Sequence, residues 1–483
     1  MKQTPLTPIA IAAALFCGAG HSAEIEPGTA DFGTKLRLAG FGEGPRDLGL
    51  TRPDGTPIDA DAETAEGFAE IQPTLYWRMS ENWTTFIRAQ GFVPSGEIVV
   101  TDEESPQRTE SYAGLREAWI EYSGLTSYPN EVLRVGRQRL RYERDATWWD
   151  RDVEAVRWIF DTTLFQTHWG IATQLHTFRT GDWELPASQR DRAYALAGMS
   201  GQWNPTHFFG VRGAYAMDYA DLDEETARAQ DPLRDEDDEE PKLAERRYGW
   251  VGAYMHNGYY TMPERAGLYY WAQADLLFGN REDVILPGPD ATDPTVQRTD
   301  RNVTALAGDV GLRLHFPAPF AMGVAYAYGQ GGGDPERSET FEQTGLHSNR
   351  SRFTGTRSLM YRFNEALQPD LSNIRVASAF ISIPTPRFDA NLVYHHFTRD
   401  DVSVPVETDG LDVQPTTTDN FLGHGYDLVL AIYFGSVPSW WIDDREDLRS
   451  NVRLRGSLFQ PGDTYGDDLE DQYRTTLELT LWF

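Results

Sequence analysis

Cysteine is nearly absent from this 483-residue chain, in which Cys17 is the only one. A single cysteine excludes an intramolecular disulfide and leaves no thiolate pair for a structural metal site. Cys17 also lies inside an N-terminal segment that has the features of a cleavable leader, so we expect the processed chain to contain no thiol. Thiol catalysis and thiolate metal sites are therefore excluded.

Lysine and long apolar runs are scarce as well. Only Lys2, Lys35 and Lys242 are lysines among 43 cationic side chains, and the others are arginines. Arginine offers a planar fork that matches a carboxylate, whereas lysine offers a point charge; a bias in genome composition would give the same excess. Beyond the leader, no run of about eighteen uncharged apolar residues occurs, which argues against a membrane-spanning helix.

The first 23 residues have the composition of a secretory signal peptide. Lys2 supplies a cation, residues 9–16 form an apolar run, and small residues follow up to Ala23. The sequence therefore predicts a signal peptide over residues 1–23. No linker or change in composition divides the remainder, so residues 24–483 are predicted to form one domain.

Acidic residues outnumber cations, and the formal net charge is -31. The acids cluster, most densely in residues 231–240. Charge runs of this kind are typical of solvated loops. The alternative interpretation is that divalent cations bridge these acidic loops to surface lipopolysaccharide. The acidic balance argues against nucleic acid as a partner.

The C-terminal residues 473–483 alternate between two faces. The first face is largely apolar and the second mostly polar, and the chain ends on Phe483. This pattern resembles the closing strand and terminal aromatic signal of bacterial outer-membrane barrels, in which the apolar face meets lipid and the polar face lines the lumen. The alternative is a half-buried edge strand of a soluble sheet.

Similar alternation recurs along the whole chain. It predicts eighteen strands, at residues 32–43, 68–79, 82–97, 112–122, 131–140, 152–162, 167–179, 189–204, 206–221, 246–257, 265–278, 301–315, 319–330, 372–384, 387–399, 422–435, 449–460 and 470–483. Connections after even-numbered strands are often short, and those after odd-numbered strands are mostly long. The fold class predicted is an all-β, transmembrane antiparallel β-barrel of about 18 strands with long extracellular loops and short periplasmic turns.

Arginines fall on the face of these strands opposite the apolar residues. An arginine facing lipid near the membrane midplane costs about 2–4 kcal/mol, so these side chains are predicted to point into the lumen. The densest set lies in residues 136–158, which hold six arginines and five acids, and a second lies in residues 345–373. Two readings stay open: a cationic constriction for an anion, or an ion-pair network that neutralises itself and supports loops inside a wide lumen.

Three segments carry a resemblance to a known family. They are residues 31–49, residues 115–150 with 152–158, and residues 354–373. The chain resembles the alginate-export porins, eighteen-stranded outer-membrane barrels that pass alginate out of the periplasm. The resemblance implies an arginine-lined, electropositive constriction. The segment 435–448 is shorter than the periplasmic plug loop associated with that family, so plugging from that side is not predicted.

The resemblance and the facing of the strands together give the candidate site residues. By motif, the resemblance carries over Arg46, Arg116, Arg137 and Arg139, with Asp150 and Asp152 as acids that position the arginines. Further candidates follow from predicted inward facing or from loop position: Arg78, Arg88, Arg357, Arg362 and Arg453.

No motif for catalysis, a cofactor or a metal is recognisable. His395 and His396 are consecutive strand residues on opposite faces, so they cannot ligate one metal ion together. A barrel hydrolase remains a third class of function, and a Ser–His–Asp arrangement at the rim or on the lipid face would favour it.

The sequence thus predicts a monomeric outer-membrane porin of a Gram-negative bacterium that passively exports an anionic polysaccharide, alginate or a related polyuronate. The alternative is a general or anion-selective diffusion porin for small solutes. The predicted partners, besides the polymer, are outer-membrane lipid and lipopolysaccharide. Periplasmic components of polysaccharide secretion are further predicted partners.

Overall fold

The alternating segments form eighteen strands of one closed antiparallel sheet in the computed structural model. The structure describes residues 26–44, 64–95, 98–100, 107–109, 111–128, 130–141, 147–175, 180, 191–219, 244–257, 266–285, 297–334, 336–411, 413–435, 450–466 and 469–483. The signal-peptide prediction, Arg46, most of the acidic loop 222–245 and nearly all of segment 435–448 lie outside these residues.

The barrel strands are β1 to β18 in chain order. Their bounds are Thr29–Gly44, Thr64–Arg78, Trp83–Pro94, Tyr112–Tyr122, Glu131–Arg141, Asp150–Asp161, Phe165–Thr173, Arg192–Asn204, His207–Asp218, Ala244–His256, Gly267–Ile285, Gln297–His315, Ala321–Gly329, Ile374–Pro384, Phe388–Arg399, Phe421–Phe434, Ser450–Pro461 and Gln472–Trp482. Each strand pairs with the next, and β18 pairs with β1, with Leu38 opposite Leu479. The predicted fold class is confirmed.

The predicted two-sided character of the strands is confirmed on the wall. On β12, Leu306, Val310 and Leu312 are exposed on the outer surface, whereas Asp309 and Arg313 are buried on the inner side. An apolar outer face and a polar inner face are what a lipid-embedded barrel needs.

The connections sort by length between the two ends of the barrel. Those at one end are mostly short, at residues 79–82, 162–164, 205–206, 316–320 and 385–387. Those at the other end include the longest, at residues 45–63, 95–111, 174–191, 219–243, 330–373 and 400–420. That the long connections face the cell exterior stays a prediction.

Three predicted strand boundaries were wrong. Strands β11 and β12 pair as far as Ile285 opposite Gln297, so residues 279–285 and 297–300 of the predicted connection are strand. Residues 280–283 and 297–302 are polar on both faces, as a strand that continues beyond lipid can be, and an apolar face therefore gives no signal there. Strand β7 ends at Thr173, six residues before its predicted end.

Residues 341–371, here called the inward segment, fold into the barrel between β13 and β14. Phe353, Phe363 and Leu371 are fully buried in it. The segment contacts inward-facing side chains of the wall: Arg362 reaches Asp309 of β12. The main apolar core therefore lies inside the barrel, beneath a wall whose outer face stays apolar.

The hairpin of β5 and β6 also leaves the wall at its long-connection end. Pairing between β4 and β5 stops at Ala118 opposite Arg137, whereas β5 and β6 stay paired up to Arg141 opposite Asp150. Beyond this branch point, the buried side chains lie mainly on one face of the hairpin, namely Gln138, Leu140, Trp149 and Val153, with Asp150 buried on the other face. We call residues 137–141 and 147–153 the inner hairpin.

Trp148 of the inner hairpin reaches the wall three strands further along, at β9. The guanidinium of Arg212, on β9, lies 4.5 Å from the ring of Trp148. Trp149 forms a parallel bridge with Leu346 of the inward segment. The inner hairpin and the inward segment therefore meet inside the lumen and occupy much of it.

No helix among the described residues is long and apolar enough to cross a membrane. The only regular helical element in that part of the chain is a single 3-10 turn at Asp463–Tyr465, between β17 and β18.

The terminal residue closes the barrel seam. Phe483 N donates to Thr34 O at 3.0 Å and Thr34 N donates to Phe483 O at 3.1 Å, which extends the β1–β18 ladder by one pair. Deleting Phe483, or changing it to Asp, is expected to lower assembly into the outer membrane, measured as heat-modifiable electrophoretic migration. Phe483→Tyr keeps the ring and is expected to assemble normally; normal assembly of the Asp variant would refute the closing-strand role.

Candidate functional site

Arg116 is placed by a β-bulge. The register between β3 and β4 pairs Arg88 with Glu117 and Ala89 with Leu115, so Arg116 is the extra residue of β4. A bulge re-aims the side chain of the unpaired residue. Here Arg116 Nε lies 2.7 Å from an oxygen of Asp152 on the inner hairpin.

The bend that leads into the inner hairpin lies at Gly136, where the backbone takes a φ of 125°. A Cβ at this position would collide with the carbonyl oxygen of Ala118, so the close approach of β4 and β5 requires glycine. The bend carries Arg139 inward, where its Nε lies 3.1 Å from Asp150 Oδ1. The other oxygen of Asp150 accepts a hydrogen bond from Ser348 Oγ of the inward segment at 2.6 Å.

A second run of pairs follows the wall across the barrel seam. Glu478 of β18 lies 2.6 Å from Arg37 of β1 and 3.6 Å from Arg453 of β17. Arg37 also lies 3.5 Å from Glu70 of β2. Glu70 accepts a hydrogen bond from Gln90 of β3 at 2.6 Å. The pairs therefore continue over five neighbouring strands.

The inward segment joins these two runs. Glu365 lies 2.9 Å from Arg350 of the same segment and 3.3 Å from Arg455 of β17, two residues along from Arg453. At the other end, Gln90 lies 3.5 Å from Arg116. Ser348, which bonds Asp150, also accepts a hydrogen bond from the backbone N of Arg350 at 3.4 Å.

The two runs and the contacts between them outline a ring, in which Arg139 and Asp152 are register partners and Arg453 and Arg455 lie two residues apart on β17. We call its charged members the arginine ring: Arg37, Arg116, Arg139, Arg350, Arg453 and Arg455 with Asp150, Asp152, Glu70, Glu365 and Glu478. Six guanidinium groups thus face five carboxylates. The most accessible side chains are the arginines, with exposed fractions of 30% for Arg116 and 28% for Arg37, against 8% for Glu478.

Sequence reasoning found five ring members: Arg116, Arg139, Arg453, Asp150 and Asp152. It missed the others as site residues, namely Arg37, Arg350, Arg455, Glu70, Glu365 and Glu478. The signals were present, because inward facing was recognised for Arg37 and Arg455, and Arg350 and Glu365 lie in the second arginine-rich segment. The missing information was which loop returns to meet which part of the wall.

The remaining predicted arginines lie elsewhere. Arg137 pairs with Glu154 on the inner hairpin. Arg78 ends β2 at the short-connection end, half-buried. The backbone N of Arg357 donates to Asp389 at 2.7 Å, and its side chain is half-buried in the inward segment. Arg88 is buried, 3.3 Å from Glu117.

Arg362 is buried, with 1% of its side chain exposed. It donates to both oxygens of Asp309, at 3.0 and 2.8 Å, and to Ser378 Oγ at 3.2 Å. Phe353 packs on its guanidinium, with 4.8 Å between guanidinium carbon and ring centroid. In this conformation Arg362 has no surface for a solute, and it fastens the inward segment to β12 and β14.

Glu342 fastens the start of the inward segment to β10 and β11. Its carboxylate lies 3.2 Å from Arg246 and 3.0 Å from Arg281, and it accepts a hydrogen bond from Tyr248 at 2.8 Å. Burial alone would raise the pKa of Glu342, but Arg246 and Arg281 outweigh burial and lower the pKa to about 2. The carboxylate therefore stays ionised at neutral pH, and its stabilising contribution is lost only as pH falls through the lowered pKa.

A buried Ser–His–Asp arrangement lies beneath the inward segment. Ser378 Oγ lies 2.9 Å from His395 Nδ1, and His395 Nε2 lies 3.0 Å from Asp427. All three side chains are buried, at neither the rim nor the lipid face. Asp427 also accepts a hydrogen bond from Asn364 at 3.1 Å. The trio therefore braces β14, β15 and β16 against the inward segment, and a substrate has no approach to it.

The closed barrel, apolar outside and charged inside, defines a porin-type transport protein of the outer membrane, not an enzyme. The family model for alginate export matches residues 61–476. The chain belongs to the alginate export family. Family and fold together support an outer-membrane alginate exporter.

The most similar relatives found cover nearly the whole chain. The chain is 33% identical over 493 residues to the alginate production protein AlgE of Pseudomonas aeruginosa, with 98% of this chain and 96% of that protein covered. It is 30% identical to the AlgE of Pseudomonas syringae pv. tomato, with 94% and 93% covered.

Two solved structures resemble this chain in fold, and at 11% identity the resemblance shows the fold and nothing further. OccAB1 of Acinetobacter baumannii matches with a TM-score of 0.53 at 11% identity, covering 96% of this chain and 99% of that one. OccK8 of Pseudomonas aeruginosa matches with a TM-score of 0.53 at 11% identity, covering 95% and 99%.

Proposed function

We propose that this barrel passively exports an anionic polyuronate, alginate before others, through an opening bounded by the arginine ring. The observation that carries the proposal is the course of the arginine ring. It follows the wall from β17 through the seam to β4 and returns through the inner hairpin and the inward segment. We infer that the opening for the polymer lies between the wall residues of the ring and its inward-folded residues.

The ring offers sites that a uronate carboxylate can use in succession. Glu365 and Glu478 each lie between two guanidinium groups, so these positions already bind a carboxylate. A polymer carboxylate entering the ring would compete for the same forked donors. Exchange between several weak, equivalent sites lets a polyanion move without a deep energy minimum. No covalent chemistry is required.

The proposed residue roles follow from accessibility. Arg116, placed by the bulge, and Arg139, placed by the inner hairpin, are partly exposed and would contact the polymer first, together with Arg37 and Arg350. Asp150 and Asp152 would hold their partners in position. Arg78, Arg137 and Arg357 would act as secondary contacts along the path.

The wider setting is also part of the proposal. We place the long connections outside the cell, among lipopolysaccharide, and the short ones in the periplasm, where polysaccharide-secretion components would deliver the polymer. The barrel would act as a monomer, because the described strands close on themselves and leave no unpaired edge.

Planar-bilayer recording of the full-length protein tests the function. We expect anion preference from reversal potentials in a salt gradient, and concentration-dependent block by oligomannuronate. A neutral oligosaccharide of equal length should block far less. The second candidate is a general or anion-selective diffusion porin for small solutes. It is favoured if free mannuronate and oligomannuronate block the channel equally, or if neither of them blocks it.

A further inference from the structure

His396 of β15 and His424 of β16 form a cross-strand pair on the outer surface of the barrel. They are direct register partners, and their ring centroids lie 5.5 Å apart. His395, the preceding residue, is fully buried on the inner side, so the two adjacent histidines serve different surfaces. Sequence reasoning about neighbours along one strand could not find a pair formed between two strands.

The pair lies at the level where the outer surface changes from apolar to polar. Going towards the long-connection end on β15, the outward residues are Leu392, Tyr394, His396 and Thr398. On β16 the same order is Leu428, Tyr426 and His424. Tyrosine marks the membrane interface in such barrels. The histidines are one step beyond the tyrosines, where water and ions reach the wall.

The rings are oriented with nitrogen atoms available. Tyr394 Oη lies 2.9 Å from His424 Nδ1, which leaves Nε2 of His424 free to bind elsewhere. The ring of Phe421 stacks on His396 at 5.1 Å and fixes its plane. Among the residues that the structure describes, none makes a hydrogen bond to the His396 ring.

We propose that His396 and His424 form a site for a divalent transition metal ion of the class that prefers imidazole, Cu²⁺ above Ni²⁺ and Zn²⁺. Imidazole nitrogen binds such ions at about 2.0–2.1 Å, so two rings on one ion have centroids about 5 Å apart. The observed 5.5 Å needs only a small rotation. Tyr394 is a positioning residue that holds the His424 ring by its other nitrogen.

Water completes the coordination of this site. Among the described residues, no group of three or more histidine, cysteine, aspartate or glutamate side chains is arranged to hold a metal. The proposal therefore concerns a two-ligand, solvent-accessible site, and the ion is expected to exchange with the medium.

Calorimetric titration of Cu²⁺ into the detergent-solubilised full-length protein, without a polyhistidine tag, tests the site. We expect one Cu²⁺ equivalent that disappears in both His396→Gln and His424→Gln. Tyr394→Phe should retain the equivalent with affinity about tenfold weaker. Electron paramagnetic resonance should show hyperfine splitting from two nitrogen nuclei in the wild type and from fewer in either glutamine variant.

His207→Gln is the matched control, because His207 is an outward-facing histidine at the opposite end of the wall. It should keep the equivalent. Heat-modifiable migration checks that every variant is folded. The proposal is overturned if folded wild type binds no Cu²⁺ equivalent, or if the equivalent survives in His396→Gln or His424→Gln.

Discussion

Changing Arg362 to Met is expected to loosen the inward segment and to raise single-channel conductance and open-channel noise. Asp309 is buried, with 3% of its surface exposed, and the change removes the guanidinium that donates to both of its carboxylate oxygens. Removing one member of a buried ion pair costs about 3–5 kcal/mol, because the remaining charge is not compensated. Release of the segment from β12 would restore water to Asp309 and open the lumen.

The double variant Arg362→Met/Asp309→Leu is the matched control. Replacing both members of a buried pair by apolar side chains of similar size is often neutral or stabilising. We expect its conductance, and its hydrogen-exchange protection over the inward segment, to return towards wild type. Its block by oligomannuronate should also be normal. Lost block in a double variant with normal conductance would make Arg362 a binding side chain and contradict the anchoring role.

Much of the wall was predictable from sequence because lipid imposes a strict rule on it. Every strand must present an apolar outer face, and a charged residue there is costly. Alternation such as Leu306, Val310 and Leu312 against Asp309 and Arg313 therefore identifies both the strand and its facing. The rule stops where lipid stops, so alternation does not identify the polar extensions of β11 and β12.

The interior obeys no such periodic rule. Arg362 and Arg350 belong to one arginine-rich segment, yet Arg362 is a buried anchor and Arg350, with 22% of its side chain exposed, lies in the arginine ring. The role of each arginine depends on whether a carboxylate of the wall lies within contact distance of it. Such a contact joins residues that are distant in sequence. Composition could indicate a charged interior, but it could not separate supports from candidate binding groups.

The bend of the inner hairpin is an intermediate case. Strands 112–122 and 131–140 are among the eighteen that the sequence predicts, but their apolar and polar residues do not alternate regularly. The structure gives the reason. Pairing between β4 and β5 ends at Arg137, and Arg116 is an unpaired bulge residue, so neither strand keeps one alternation throughout. An unclear pattern there reflected a real change of environment.

Changing Arg139 to Glu is expected to lower or reverse the anion preference of the channel and to weaken block by oligomannuronate. Arg139 is 23% exposed beside Asp150, so the change places a third carboxylate next to Asp150 and Asp152. Two charges about 4 Å apart interact by about 1–4 kcal/mol between bulk water and a protein surface. The effect should shrink at high salt, because the Debye length falls to about 3 Å at 1 M.

A graded series makes this prediction specific to the ring. Anion preference should decrease in the order Arg, Lys, Gln, Glu at position 139, since Lys keeps the charge but loses the planar fork. Arg247→Glu introduces the same change in net charge at a side chain that is 54% exposed and paired with Glu245 outside the ring, and it should leave selectivity unchanged. If folded Arg139→Glu keeps wild-type selectivity and wild-type block, the ring is a self-neutralising support, and polyuronate selection occurs elsewhere in the lumen.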